Sequence, residues 1–204
     1  MNRTNRIIEL IKGKKVIDIG GIDHDASFIG SSNWLHGKIA SSAEYILGID
    51  LLEDEVEIAR EQGYNFIQGD AEHLINYVDE KFDVCVAGEL IEHLANPGLF
   101  LKSAHDVLID DGLLVLTTPN AFAFGNIYRI MRYLFRLHPL KDNEEHKAWY
   151  DMFTLGQALK AQGFEIVEMK TVRPDRESNF LNNLKYKIYG NANSKIFCIA
   201  KKVS

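Results

Sequence analysis

The chain has 204 residues, 46% of them hydrophobic, and a net charge of −6. That length suits one α/β domain with a sizeable core, and the acidic balance excludes the broad phosphate-neutralising surface that nucleic-acid binding needs. No apolar run approaches the roughly 20 residues that cross a bilayer. Ile7, Ile8, Leu10 and Ile11 are broken by Glu9 and followed by three lysines, unlike a secretory signal, so a cytoplasmic location is expected.

Short apolar runs alternate with helical patterns, the signature of parallel strands joined by crossover helices. The first strand is Val16 to Ile19, closed by Gly20-Gly21. The second, Tyr45 to Asp50, leads straight into a helix whose Leu52, Val56 and Ala59 repeat on one face. The third, Asn65 to Gln68, ends at Gly69-Asp70. The fourth, Phe82 to Ala87, is nearly all apolar, as a strand covered on both faces should be. Asn96 is placed to cap a helix that starts at Pro97 and buries Phe100, Ala104, Val107 and Leu108. Asp110-Asp111-Gly112 turns into the fifth strand, Leu113 to Thr118. Thr154 with Gln157 reads as a capping box, and Gly163 as that helix's left-handed stop. Phe164 to Met169 and Lys195 to Ala200 are the last two strands. No helical period separates them, so an antiparallel return is expected there. Cys85 and Cys198, the two cysteines, each lie within an apolar run. They read as unpaired core thiols, without the spacing of a metal or redox site.

Residues 121 to 150 form a longer connection than usual. Ile127, Ile130, Met131 and Leu134 make an apolar stripe, and Arg129, Arg132 and Arg136 a basic one. A covering helix, a substrate lid and a contact with an anionic or lipid-linked acceptor are all open readings.

Ligands of open parallel sheets bind beyond the strands' carboxyl ends. Here four successive ends carry Asp18-x-Gly20-Gly21, Asp50-Leu51, Asp70-Ala71 and Gly88-Glu89. Glycine allows close backbone approach, a carboxylate after the second strand can accept from ribose hydroxyls, and Asp70 can accept from an exocyclic adenine amine. Local roles compete: Asp18 ordering the glycine turn, Asp50 capping the next helix, Asp70 shaping its own turn.

Val16-Ile17-Asp18-Ile19-Gly20-Gly21, Gly48-Ile49-Asp50, Gly69-Asp70-Ala71-Glu72, the Glu92-His93-Leu94 to Phe100-Leu101 stretch and Thr117-Thr118-Pro119-Asn120 together resemble class I S-adenosylmethionine-dependent methyltransferases. The similarity is to the ubiquinone-biosynthesis-like and glycan-modifying small-molecule group, over about residues 14 to 170. It implies an α/β, Rossmann-like three-layer sandwich with a mostly parallel seven-stranded sheet and an antiparallel last strand. It also implies one methyltransferase-like domain over residues 1 to 204, with 121 to 150 as a possible lid. The cofactor would be S-adenosylmethionine, held by Asp18, Gly20, Gly21, Asp50, Leu51, Asp70, Ala71, Gly88 and Glu89. The acceptor would be a small molecule or glycan, without nucleic acid or stable membrane insertion. Ile22 and His24 stand where the family loop carries further glycines, and the long segment after them holds Trp34, His36 and Lys38.

Methyl transfer requires alignment, exclusion of water and, for a hydroxyl acceptor, a base. Histidine suits that task at neutral pH. His146, in the insertion, and His93, one helical turn after Glu89, are the catalytic candidates, with His24 behind them. His36, His73, His105 and His138 read as surface or packing residues. No metal is expected, since a Glu89–His93 pair lacks an evident third ligand. Two other classes remain: a non-catalytic cofactor- or partner-binding domain of this fold, and an NAD-dependent oxidoreductase. The latter should carry Gly-x-Gly-x-x-Gly, which is absent.

Overall fold

A computed structural model describes residues 3–22, 26–136, 145–172 and 194–203. His24, His138, part of the 121–150 segment and most of the connection between the last two strands lie outside the described residues.

The order of elements is α1 (Arg3–Ile11), β1 (Lys15–Ile19), α2 (Leu35–Ala40), β2 (Tyr45–Asp50), α3 (Glu53–Glu61), β3 (Phe66–Gln68), β4 (Phe82–Gly88), α4 (Pro97–Val107), β5 (Leu108–Pro119), α5 (Phe124–Leu134), α6 (Met152–Ala161), β6 (Phe164–Val172) and β7 (Lys195–Lys202). The seven strands form one sheet in the order β3-β2-β1-β4-β5-β7-β6. β7 runs antiparallel to both neighbours, and the other pairings are parallel. The order reverses between β1 and β4, which makes their carboxyl ends the topological switch point.

Strand alternation sends side chains into two cores. Val16, Val84, Val86, Val115 and Phe197 pack under Ile7 and Ile11 of α1 and Ile39 of α2. Ile17, Cys85, Ala87, Leu116 and Cys198 pack against α4 and α6. This is the three-layer sandwich, and both cysteines are core residues whose thiols burial pushes up. A third cluster joins Val56 and Ala59 of α3 to Trp34 and Phe66. Gly48 makes room for that packing, because a Cβ there would fall 2.2 Å from the Phe66 ring.

Several local expectations need correction. α1 and α2 were not assigned from the sequence, although Ile7 and Ile11 supply an i, i+4 buried pair. The box on α6 is Asp151 with Thr154, not Thr154 with Gln157: the Asp151 carboxylate accepts from the Phe153 and Thr154 N–H groups, and the Thr154 hydroxyl closes the reciprocal bond. Asn96 occupies the cap position of α4 without capping it. Its amide donates to Glu72 instead. β5 begins five residues earlier than expected, with Asp111 at φ 62° inside it and a register irregularity against β4.

Candidate active site

The carboxyl ends of β1 to β4 open into one cavity of about 680 Å³. Of the expected cofactor residues, Gly20, Gly21, Asp50, Leu51, Asp70, Ala71, Gly88 and Glu89 all line it. Asp18 does not. Its side chain is buried below the loop, where His36 Nδ1 donates to its Oδ2 at 2.9 Å. A Cβ on Gly21 would lie 2.6 Å from that same oxygen. The carboxylate therefore supports the glycine turn from beneath.

His36, expected as a surface or packing residue, is fully buried and packs its ring on Phe66 at 4.2 Å. Its Nε2 has no hydrogen-bond partner. From above, Trp34 Nε1 donates to the Gly21 carbonyl at 2.7 Å. A Trp-His-Asp scaffold thus grips the turn at Gly21. Trp34 and His36 stand in the long segment after the loop, and no spacing rule assigns them this task.

Gly20 sits at φ 66°, a left-handed conformation that suits glycine. Asp50 receives the Ile22 N–H at 3.0 Å and the Leu52 N–H at 3.2 Å. Burial holds its carboxyl above the usual range despite those donors. Asp70 accepts from the Glu72 N–H and meets His73 Nδ1 at 3.2 Å, so it shapes its turn while still facing the cavity. Glu89, at φ 55°, is paired with Lys195 at 2.8 Å and lies 3.9 Å from Arg3. Its Oε1 is buried with no hydrogen bond. Arg3 also lines the cavity, a contribution of α1 that was missed along with the helix.

These features fit an adenosyl sulfonium. The lining carboxylates suit ribose hydroxyls, an exocyclic amine and positive charge, whereas a pyrophosphate would be repelled. Glu89 Oε1, which has the Arg3 guanidinium at 3.9 Å but no hydrogen bond, can accept one from an ammonium group.

On the far side of Glu89 the chain is not α-helical but a single 3-10 turn, Ile91–His93. Glu89 and His93 therefore do not share a helix face, although both reach the cavity. His93 instead stacks edge-on with His146, ring centroids 4.9 Å apart. His146 is brought there because the Lys147 and Ala148 N–H groups both donate to the Glu92 carbonyl. Glu92, to which the Glu92-His93-Leu94 motif assigns no role, is buried beneath this pair, with its Oε1 3.9 Å from His93 Nε2 and its Oε2 accepting from the Thr118 hydroxyl. Burial pushes its carboxyl up to about 7. Burial and the Glu92 charge likewise raise the Tyr150 phenol. Glu92, His93 and His146 each offer a ligand atom, all within 4.8 Å of one another, a set that shares His93 but not Glu89 with the pair considered from the sequence.

Switch-point geometry, a carboxylate closing β2 and a glycine turn after β1 define a nucleotide-cofactor-binding domain of the Rossmann-like class. A family model described as a methyltransferase domain matches residues 2–169; the chain belongs to that family, in its class I, S-adenosylmethionine-dependent branch. A ubiquinone biosynthesis O-methyltransferase of Azorhizobium caulinodans is 26% identical over 180 residues, covering 80% of this chain and 64% of that enzyme. The chain thus spans less than two thirds of that relative. A namesake from Haemophilus ducreyi is 26% identical, with 86% and 80% covered. A putative methyltransferase of Bacillus halodurans shares the fold at TM-score 0.68 and 18% identity, covering 99% of this chain and 98% of its own.

Proposed function

We propose that this protein transfers the methyl group of S-adenosylmethionine to a hydroxyl or amine of a small-molecule or glycan-like acceptor. The observation that carries the reading is the convergence of four strand ends, with Asp50, Asp70 and Glu89, on one cavity. The named relatives are O-methyltransferases, which favours a hydroxyl.

The cofactor supplies a methyl on positively charged sulfur, so this chain's residues need only position, desolvate and deprotonate. Asp50 holds the ribose, Asp70 and Ala71 the adenine edge, and Glu89 with the Gly20-Gly21 backbone the amino-acid end. His93 or His146 takes the acceptor proton on a ring nitrogen. The Glu92 carboxylate below then stabilises the imidazolium. The acceptor side is supplied by His146, whose ring stands edge-on to His93 beside the cavity.

The test is turnover across a panel of phenols, sugars and amines, following the methyl label. Methylation of at least one class, and a fall of about 10²–10⁴ in kcat for His146→Gln at unchanged cofactor affinity, is the expected result. Cofactor binding without turnover on any acceptor would favour the non-catalytic reading.

A further inference from the structure

α5 (Phe124–Leu134) is an eleven-residue helix without a single buried residue. A helix that covered the domain would bury its apolar stripe. Here Ile127 and Ile130 remain over a third exposed, Met131 about half, and Leu134 69%.

The distribution around its axis is ordered. At 3.6 residues per turn, Phe124, Ile127, Ile130, Met131 and Leu134 occupy one arc of about 120°. Tyr128 and Tyr133 fall at the two borders of that arc, and Arg129 and Arg132 lie on the opposite side. Phe122 and Phe135, exposed by 61% and 69%, extend the apolar surface at the two ends. Arg136 adds a third positive charge just beyond the helix. Residues 121 to 136 contain no acidic side chain, in a chain that has 29 of them and a net charge of −6.

We propose that α5 lies in the headgroup plane of an anionic membrane and docks the domain on it. An apolar arc bordered by tyrosines, with arginines on the polar side, matches a helix half-sunk at a lipid interface. The local positive charge complements acidic headgroups and selects them over neutral ones. A second copy of the chain fits worse, because it would set the arginines of two such helices against each other. The contact lies on the bilayer and not across it, since no helix among the described residues is long and apolar enough to span one.

The helix is anchored firmly enough to act as a foot. Asn126 Nδ2 donates to the Asn120 carbonyl at 3.0 Å, the Phe122 N–H to Asn120 Oδ1 at 3.0 Å, and the Ala121 N–H to the Tyr150 carbonyl at 2.7 Å. Asn120 directly follows β5, so the foot grows from the carboxyl edge that also holds the cavity. Docking there brings that edge to the lipid surface. The contact does not depend on the methyl-transfer reading.

The test is co-sedimentation of the full chain with vesicles of phosphatidylcholine alone or mixed with phosphatidylglycerol, at low and moderate salt. Partitioning onto the mixed vesicles should be at least about tenfold stronger and should fall with salt. Leu134→Asp should lower it about tenfold, and Arg129→Gln with Arg132→Gln should remove the preference for the acidic lipid. Thermal unfolding of Leu134→Asp, an exposed position, controls for its fold. No sedimentation with either vesicle, or equal partitioning of wild type and Leu134→Asp, overturns the proposal. So does a concentration-dependent dimer that Leu134→Asp dissolves in a protein that ignores vesicles.

Discussion

The two halves of the carboxyl edge are built differently. Around β1 to β4, the eight expected cofactor residues that line the cavity sit at or just after the end of a strand, and the turn between β1 and α2 is gripped by Asp18, His36 and Trp34. Beyond β5 the edge passes to a long connection whose helix buries nothing. Among the described residues its start is held by Asn120 and its return by the Asn120–Tyr150 bridge and the Glu92 carbonyl. The difference separates what must be rigid from what must adapt: a constant cofactor can be held by strand ends, whereas an acceptor must enter and leave.

The largest effect that can break this contrast is His36→Phe. It would leave Asp18 buried without its partner and cost about 3–5 kcal/mol in chemical denaturation; a loss below about 1 kcal/mol would mean that the scaffold is not where the rigid half gets its strength. Next comes Glu92. The group titrates near 4.5 when unfolded and about 7 when folded, so between those values the folded state keeps a proton that the unfolded chain has released. Stability from this site is present below pH 4.5 and is lost as pH rises through about 7. Glu92→Gln should therefore gain on wild type across that window, by at most about 3 kcal/mol. A difference that does not vary with pH would refute it.

Asp50→Ala should weaken cofactor binding by roughly 1–3 kcal/mol, through loss of a charge-assisted bond to ribose. An unchanged dissociation constant in calorimetry would remove the ribose assignment. The smallest expected effect is that of Trp34→Phe, which keeps the ring but not the donor to Gly21. About 1 kcal/mol of cofactor affinity should go, with little loss of stability. If stability falls and affinity does not, Trp34 is only a packing residue.

What could be read beforehand follows the same division. Strand ends were legible because Val16 to Ile19 or Phe82 to Ala87 are buried on both faces, and an apolar run stopped by glycine or aspartate reveals both strand and site. Eight of the nine expected cofactor residues reach the cavity for that reason. Asp18 departs because its motif position says nothing of the histidine eighteen residues later. Glu92 stands in the Glu92-His93-Leu94 motif without a role, because that role depends on burial and on Thr118, 26 residues away. Glu89 and His93 were placed on one helix face by spacing alone, and the positive φ at Glu89 broke that register. α5 showed its stripe in the sequence, but periodicity could not tell whether anything covers it.

The central claim is most directly tested by titrating the protein with S-adenosylhomocysteine in a calorimeter. Saturable one-to-one binding below millimolar concentration is the result predicted by carboxylates and glycines converging on a single cavity. No heat of binding at millimolar ligand would contradict it.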